Sequence, residues 1–208
     1  MSQKTIDTMP LSLNRLAPWW QSHQPRRIIL IGPSGAGKST LAQKLASLLN
    51  SSVIELDELY WLPGWTGRPE AEFRAKVSQA VADDTWILAG NYQRTQVLSW
   101  PRAELVIWLD FPMPLVFSRV FRRCLRRALH REQICNGNTE SLRMTFCSRQ
   151  SLLLWILKTH ASHRARYHQQ MLQAGPPILR LRSPAEVKQL IELIWLNSRE
   201  SDRNCGRS

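Results

Sequence analysis

The chain contains the stretch RIILIGPSGAGKST at residues 27–40. The apolar run from Arg27 to Ile31 ends in a glycine, which is typical of a buried strand. Residues 32–39 fit the pattern G-x-x-x-x-G-K-[ST], and residues 38–49 have the apolar spacing of an amphipathic helix. A strand before this motif and a helix after it form the context in which it makes a phosphate-binding loop, or P-loop.

The residues of this loop suit a nucleoside triphosphate, most simply ATP. Three glycines let backbone N–H groups converge on phosphate oxygens, and the start of the following helix adds partial positive charge. Lys38 is expected to hold the β- and γ-phosphates, and the Ser39 hydroxyl is expected to bind Mg²⁺. The predicted nucleotide-binding residues are Gly32, Pro33, Ser34, Gly35, Ala36, Gly37, Lys38, Ser39 and Thr40.

The remainder of the chain alternates apolar runs with helical patterns. Four more strands are predicted at 53–56, 86–89, 105–109 and 178–181, with helices at 69–81, 112–131, about 140–172 and from Ser183 onward. This alternation predicts an α/β fold with a parallel sheet. We expect residues 1–25 to be an extension outside the core, with Trp19 and Trp20 as the residues through which it could dock. Residues 26–196 are expected to form one domain, 57–68 to be a loop, and 197–208 to be a flexible tail.

Size and composition narrow the class of protein. A chain of 208 residues has no room for the extra domains of a motor or a helicase, and it lacks the N/T-K-x-D tetrad of a GTPase. By elimination, the P-loop indicates a small kinase.

No run reaches the roughly 18 apolar residues of a membrane span. The four cysteines lack metal-binding or disulfide spacing, so we expect free thiols in a reducing cytoplasm.

Positive charge is concentrated in one part of the chain. The formal net charge is +12, and residues 119–166 contain ten arginines and one lysine against only Glu132 and Glu140. Arginine favours planar, forked recognition of phosphate or carboxylate groups. The partner is therefore expected to be anionic: a nucleotide, a phosphorylated small molecule or a nucleic acid.

Three further segments carry a family resemblance. Residues 56–65 (LDELYWLPGW), 90–94 (GNYQR) and 136–138 (NGN) resemble a bacterial group of adenylate-kinase-like P-loop proteins, often labelled DNA topology modulation proteins. The match covers about residues 26–195. More distantly, the layout is similar to nucleoside-monophosphate, shikimate and gluconate kinases. That resemblance implies a three-layer P-loop sandwich with strand order 2-3-1-4-5, Mg-ATP as phosphate donor, and a helical lid at about residues 119–150.

The resemblance also implies roles for single residues. Arg94 stands where nucleotide kinases bind the acceptor phosphate, and Asp57 resembles the aspartate that shikimate-type kinases place near the metal and the acceptor. Ala89 stands where related kinases have a metal-supporting aspartate, and alanine cannot bind a metal-bound water. Asp57 is therefore the expected partner of Ser39 at Mg²⁺. The predicted acceptor-binding residues are Asp57, Tyr60, Trp61, Asn91 and Arg94.

Each of these residues also has a simpler structural interpretation. Asp57 could cap a turn, and Asn91 could anchor a loop. Tyr60, Trp61 and Trp65 could form a local apolar cluster instead of stacking on an acceptor. We interpret Asp110, which precedes a predicted helix, as an N-cap.

The predicted helix 112–131 separates basic from apolar side chains. At about 100° per residue, its basic residues fall within an arc of about 180°: Arg119, Arg122, Arg123, Arg126, Arg127, His130 and Arg131. The other half is expected to pack on the domain: Val120, Phe121, Cys124, Leu125, Ala128 and Leu129. The kinase interpretation assigns Lys38 and lid arginines from the set Arg119, Arg123 and Arg127 to catalysis.

The sequence leaves three functions open. The first is a phosphotransferase that moves the γ-phosphate of Mg-ATP to a small acceptor, with nucleotides among the candidates. The second is a nucleic-acid binder that uses the Arg119–Arg131 face and is gated by nucleotide. The third is an ATP-binding protein with little turnover, which the alanine at position 89 keeps open.

Overall fold

A five-stranded parallel sheet lies at the centre of the molecule. A computed structural model describes residues 11–130, 133–139, 152–171 and 175–205. The strands are β1 (Arg27–Ile31), β2 (Ser52–Glu55), β3 (Trp86–Ala89), β4 (Leu105–Leu109) and β5 (Ile178–Leu181). Their spatial order is β2-β3-β1-β4-β5, and all four pairings are parallel. The predicted α/β class and the 2-3-1-4-5 order are confirmed.

Eight helices accompany the sheet in the described part of the chain. They are α1 (Leu13–His23), α2 (Lys38–Leu49), α3 (Leu56–Tyr60), α4 (Glu70–Ala80), α5 (Gln96–Ser99), α6 (Met113–His130), α7 (Leu152–Gln170) and α8 (Pro184–Cys205). Side chains alternate across a strand, so Ile28 and Leu30 enter one apolar cluster while Ile29 and Ile31 enter another. Helices cover both faces, and the result is a three-layer sandwich.

The N-terminal segment docks through Trp20, one of the two tryptophans expected to do so, and is packed more fully into the fold than expected. Residues expected to lie outside the core include α1, whose Leu16 and Trp20 belong to one of the two apolar clusters. Leu11 makes a parallel bridge to Leu179 of β5, which fixes the start of this segment against the sheet edge. Pro18 lies inside α1 and weakens the helical pattern in the sequence. Tertiary packing of the two buried side chains outweighs that local preference.

We expect Trp20→Ala to lower the free energy of unfolding by about 3 kcal/mol, since it removes a large side chain that is only 4% exposed. Chemical denaturation monitored by circular dichroism measures this change. Trp195, which is 41% exposed on α8, provides the matched control. Trp195→Ala should cost below about 1 kcal/mol. Equal losses for the two variants would show that α1 is not part of the core.

The connecting segments contain more structure than expected. The predicted loop at 57–68 holds most of α3 and an antiparallel hairpin of Trp61–Leu62 with Thr66–Gly67. We call this the acceptor-side hairpin. A second hairpin pairs Gln133–Ile134 with Asn138–Thr139 and follows α6; we call it the lid hairpin. The rest of the predicted lid, residues 131–132 and 140–150, lies outside the described residues.

The C-terminal segment also differs from expectation. Residues 197–208 were expected to be a flexible tail, but α8 continues to Cys205. The residues beyond 196 are polar, so they lack the apolar pattern from which a helix would be predicted. The first turn of α8 is well capped. Ser183 Oγ accepts from the Glu186 N–H, and the Glu186 carboxylate accepts from the Arg182 N–H. No helix in the described ranges is long and apolar enough to cross a membrane.

Candidate functional site

The P-loop lies at the carboxyl edge of the sheet, between the end of β4 and the side of α6. Gly32 has a φ of +145°, and a Cβ added there would lie 2.6 Å from the Leu109 carbonyl oxygen. At Gly35, with a φ of +79°, an added Cβ would lie 2.3 Å from Val120 Cγ2. These two positions therefore require glycine, because the loop packs directly against its neighbours. Ligands of open α/β folds bind at this edge.

Lys38, the first residue of α2, points back over the P-loop. Its Nζ donates to the carbonyl oxygens of Gly32 and Pro33, at 2.9 and 3.1 Å. The pKa of Lys38 is lowered to about 8, mainly by burial and also by Arg123, while Asp57 and Glu55 oppose the shift. A phosphate group at the loop would restore the preference of this amine for its charged form.

Asn91 anchors the P-loop to the segment after β3. Its Oδ1 accepts from the Gly32 N–H at 3.2 Å, and its Nδ2 donates to the Gly32 carbonyl oxygen. Both ends of the amide are thus engaged with the loop backbone. This geometry supports the loop-anchoring interpretation of Asn91, while its predicted contact with an acceptor stays a prediction.

Two arginines of α6 contact the P-loop. Arg119 Nη1 donates to the Ala36 carbonyl oxygen at 3.3 Å, and its guanidinium lies 5.3 Å from the centre of the Phe111 ring. Arg123 Nη2 donates to Ser34 Oγ at 3.1 Å. The helix therefore presents two guanidinium groups to the loop that is predicted to hold phosphates. Arg127, the third predicted lid arginine, lies further along, near Cys135 of the lid hairpin.

The expected division of α6 into a basic outer face and an apolar inner face is wrong in part. Val120 and Cys124 are buried as expected, but Phe121, Leu125 and Leu129 are 39%, 38% and 65% exposed. Arg119 and Arg123 instead turn towards the P-loop. The helical period sorts side chains into arcs, but it does not show which arc faces which neighbour. Arg131 lies outside the described residues.

Carboxylates gather at the end of β2, close to Ser39. Glu55 is paired in the sheet with Ala89 of β3, and its carboxyl group lies near enough to Ser39 for that side chain to favour the charged form. Burial raises the pKa of Glu55, and the nearby Asp57 and Glu58 raise it further. The Glu55 carboxylate thus lies on the strand next to Ala89, the residue that stands where related kinases have a metal-supporting aspartate. Sequence reasoning missed Glu55, although an acid that ends an otherwise apolar strand was a usable signal.

Asp57 and four aromatic side chains form one wall beside this acidic group. Tyr92 donates its hydroxyl hydrogen to Asp57 Oδ1 at 2.8 Å, and this contact together with burial raises the pKa of Tyr92. Tyr60 packs on Tyr92 and Trp61, with ring centres 4.9 and 4.8 Å apart, and Trp61 packs edge-on against Trp65. The aromatic residues thus form the predicted local cluster, and their contact with an acceptor stays a prediction.

Arg94 belongs to the turn Gln93–Thr95, which follows β3, and two further arginines contact this turn. Arg94 lies in the turn with its guanidinium 5.3 Å from the centre of the Tyr60 ring. Arg74 Nη1 donates to the Arg94 carbonyl oxygen at 2.7 Å, and Arg166 Nη1 lies 3.4 Å from Gln93 Oε1. The nearest carboxylate is Glu70, 3.8 Å from Arg94. Arg74 and Arg166 were not predicted, because their approach to the turn depends on tertiary structure.

The N-cap interpretation of Asp110 is wrong. α6 begins at Met113, and the Asp110 side chain, only 3% exposed, pairs instead with Arg164 of α7 at 3.1 Å and with Arg180 of β5. Arg180 also lies over the Trp108 ring, 4.7 Å from its centre. Asp110 therefore ties α7 to the sheet, beside the P-loop.

Sequence comparisons give distant relatives. The model of the ATPase family associated with various cellular activities (AAA) matches residues 28–91. The chain is 24% identical over 176 residues to the uncharacterized protein YqaC of Bacillus subtilis (strain 168), covering 81% of this chain and 95% of that protein. It is 29% identical over 98 residues to a shikimate kinase of Corynebacterium diphtheriae, covering 40% of this chain and 56% of that enzyme. These names do not include the DNA topology modulation label, which stays a prediction.

Solved structures match over most of the chain. Shikimate kinase from Acinetobacter baumannii in complex with shikimate aligns with a TM-score of 0.51 and 18% identity, over 87% of this chain and 98% of that one. Deoxyadenosine kinase from M. mycoides aligns with a TM-score of 0.50 and 16% identity, over 84% and 98%. The chain has the α/β fold of P-loop kinases.

Proposed function

We propose that this protein is a small-molecule kinase that transfers the γ-phosphate of ATP to a small acceptor bearing a carboxylate or phosphate group. The observation that carries the proposal is the approach of Arg119 and Arg123 to the same loop that Lys38 covers. Positive groups on two sides of a phosphate cradle are the arrangement that phosphoryl transfer requires, since its transition state spreads negative charge over the equatorial oxygens.

The residues of the nucleotide side act by positioning and charge. The P-loop amides and Lys38 bind the β- and γ-phosphates, and in doing so the amine exchanges its two loop carbonyls for phosphate oxygens. Arg119 and Arg123 then bind the transferring group. Asn91 keeps Gly32 in place through both of its amide contacts. In the reaction, the bond between the γ-phosphorus and the bridging β-phosphate oxygen breaks as a bond from the acceptor oxygen to that phosphorus forms.

The residues at the end of β2 fit Mg²⁺, with Ser39 and Glu55 as its holders and Asp57 beside them. Among the described residues no group of three or more His, Cys, Asp or Glu forms a metal cage. Mg²⁺ in kinases needs none, because phosphate oxygens and water fill most of its six positions. The ion neutralises charge on the phosphates. Because Glu55 supplies a carboxylate beside Ala89, position 89 no longer argues for an ATP-binding protein without turnover.

The acceptor side combines an acid, an aromatic wall and a basic anchor. Asp57 is placed to take the proton of an acceptor hydroxyl, because Tyr92 orients its carboxylate by donating to one oxygen and leaves the other available. Arg74, Arg94 and Arg166 would bind an anionic group of the acceptor at the turn 93–95. Aromatic residues between these two ends would cover the body of the acceptor.

The nucleic-acid alternative loses the feature on which it depended. It needs a continuous arginine face on α6, but Arg119 and Arg123 point to the P-loop, and apolar side chains occupy part of the exposed side. Within the described segments, neither Cys124 nor Cys135 forms a disulfide.

Acceptor pairs that differ in one charged group test this function. Mg-ATP is incubated with hydroxy acids and their amides, and with nucleoside monophosphates and their nucleosides, and transferred phosphate is measured for each. We expect transfer to at least one anionic member and at least about tenfold less transfer to its neutral counterpart, because the neutral molecule cannot form charge-assisted hydrogen bonds with the arginines at the turn 93–95. Preference for the neutral members would contradict the acceptor class.

A change at Glu55 tests the metal assignment. We expect Glu55→Gln to raise the Mg²⁺ concentration for half-maximal turnover by about tenfold or more, since it removes a charge that orients the ion. Glu192→Gln is the matched control, because Glu192 is an exposed carboxylate on α8 that pairs with Lys188. An unchanged Mg²⁺ requirement in the Glu55 variant would show that this carboxylate does not support the metal.

A further inference from the structure

Two asparagine side chains fasten the lid hairpin to the acceptor-side hairpin. We propose that Asn136 and Asn138 are positioning residues that transmit nucleotide binding at the P-loop to the acceptor site. The proposal rests on the proposed kinase function, because it assigns α6 and its arginines to the nucleotide.

Asn138 provides the buried part of this connection. It is only 4% exposed, and its Oδ1 accepts from the Trp65 N–H at 2.8 Å. Its Nδ2 donates to the carbonyl oxygens of Leu62 and Cys135, at 3.0 and 2.6 Å. One amide thus bonds the first strand of the acceptor-side hairpin, the turn that follows this strand, and its own turn. Losing it would leave a backbone donor and two acceptors without this partner, so the contact strongly favours the docked arrangement.

Asn136 provides a second attachment on the same side of the turn. Its Nδ2 donates to the carbonyl oxygens of Glu58 and Trp61, at 2.9 and 2.6 Å. The turn that presents it is left-handed at three successive residues: Cys135, Asn136 and Gly137 have φ values of 40°, 63° and 82°. Asparagine tolerates this conformation better than most residues, so position 136 suits both the backbone and the contact.

The two attachments join elements that serve different substrates. At one end, α6 contacts the P-loop through Arg119 and Arg123. At the other end, the segment from Glu58 to Trp65 adjoins Asp57 and the aromatic wall. Only residues 131 and 132 separate α6 from the lid hairpin. A movement of α6, when its arginines bind the γ-phosphate, is therefore transmitted through the lid hairpin to the acceptor-side hairpin.

This linkage gives the asparagines a positioning role. With nucleotide bound, the acceptor-side hairpin is held against the lid hairpin, which keeps the acceptor side ordered for transfer. Without the asparagines, the nucleotide would still bind, but the acceptor side would no longer respond to it. This is a coupling between two sites through one packed connection.

Hydrogen exchange of the whole protein tests the coupling, with the non-hydrolysable analogue Mg-AMP-PNP as probe. We expect the analogue to slow backbone exchange about tenfold or more both in the P-loop and at residues 61–67, since binding lowers the population of open states. Asn136→Asp places a carboxylate against two carbonyl oxygens while keeping the side-chain shape. In Asn136→Asp and in Asn138→Ala, we expect the P-loop to keep its protection and residues 61–67 to lose theirs.

Asn197→Ala is the matched control, since Asn197 donates to Leu193 within α8, away from either hairpin. It should behave like the wild-type protein in both segments. Nucleotide-dependent protection of residues 61–67 that persists in both lid variants would overturn the coupling while leaving the kinase proposal standing. Absence of protection at the P-loop itself would overturn the proposed nucleotide binding, and the coupling with it.

Discussion

Lys38→Ala is expected to lower phosphoryl transfer by about 10³-fold, because it removes the positive group that binds the γ-phosphate as charge develops there. The variant should fold, since Lys38 is half-buried at the surface of the P-loop and its contacts are with two loop carbonyls. Initial rates at saturating Mg-ATP, together with a thermal unfolding curve for each protein, measure the two quantities separately.

Lys44 provides the matched control, because it lies on α2 and is exposed. Lys44→Ala should keep a transfer rate within about threefold of the wild-type rate, since an exposed charge at a distance is screened. Equal rates for the wild-type and Lys38→Ala proteins would contradict the assignment of the γ-phosphate to this loop.

The lowered pKa of Lys38 adds a pH dependence with a definite sign. Because burial brings the pKa to about 8, the amine is charged below that pH and begins to lose its proton above it. Bound phosphate favours the charged form, so nucleotide affinity should be full below pH 8 and should fall as the pH rises above it. Calorimetric titration near pH 9 should show proton uptake on binding, and Lys38→Ala should abolish that uptake.

The double substitution Arg119→Ala with Arg123→Ala is expected to lower transfer by about 10³-fold or more, in the range that a transition-state arginine contributes. Nucleotide affinity should fall much less than the rate, because these groups act most strongly on charge that forms during transfer. Single-turnover kinetics beside equilibrium binding separate these two effects.

Arg122→Ala with Arg126→Ala is the charge-matched control for that pair. These arginines lie on the exposed side of the same helix, so the control removes the same charge without changing the P-loop contacts. We expect a transfer rate within about threefold of the wild-type rate. Similar losses in the two double variants would indicate a general effect of positive charge, as a nucleic-acid binder would show.

Local sequence patterns were sufficient for the parts of the fold that depend on local physics. The five strands are runs of apolar residues long enough to be recognised, and the P-loop carries its own structural context. The two hairpins were not predicted because their strands are only two residues long. Such strands are too short to show the alternation of apolar and polar residues that marks a strand. The helix α1 was not predicted because Pro18 lies inside it, and proline is disfavoured within a helix.

The site was predictable in its residues more than in their roles. Lys38, Arg119 and Arg123 do converge on the P-loop, but Asn91 proved to hold the loop, and Asp110 proved to join three elements through Arg164 and Arg180. Such partners lie far apart in the chain, so no local pattern contains them. Glu55 was missed because the strand was predicted to run to Leu56, which placed the acid inside it.

Phosphorus-31 NMR of Mg-ATP with the protein and an anionic acceptor tests the central proposal most directly, because it distinguishes transfer from hydrolysis in one sample. We expect the γ-phosphate signal to decline as a new phosphate-ester signal and ADP appear in equal amounts, and we expect both products to be absent with Lys38→Ala. Formation of ADP and inorganic phosphate at one rate, with or without any acceptor, would contradict it and identify a nucleotide hydrolase instead.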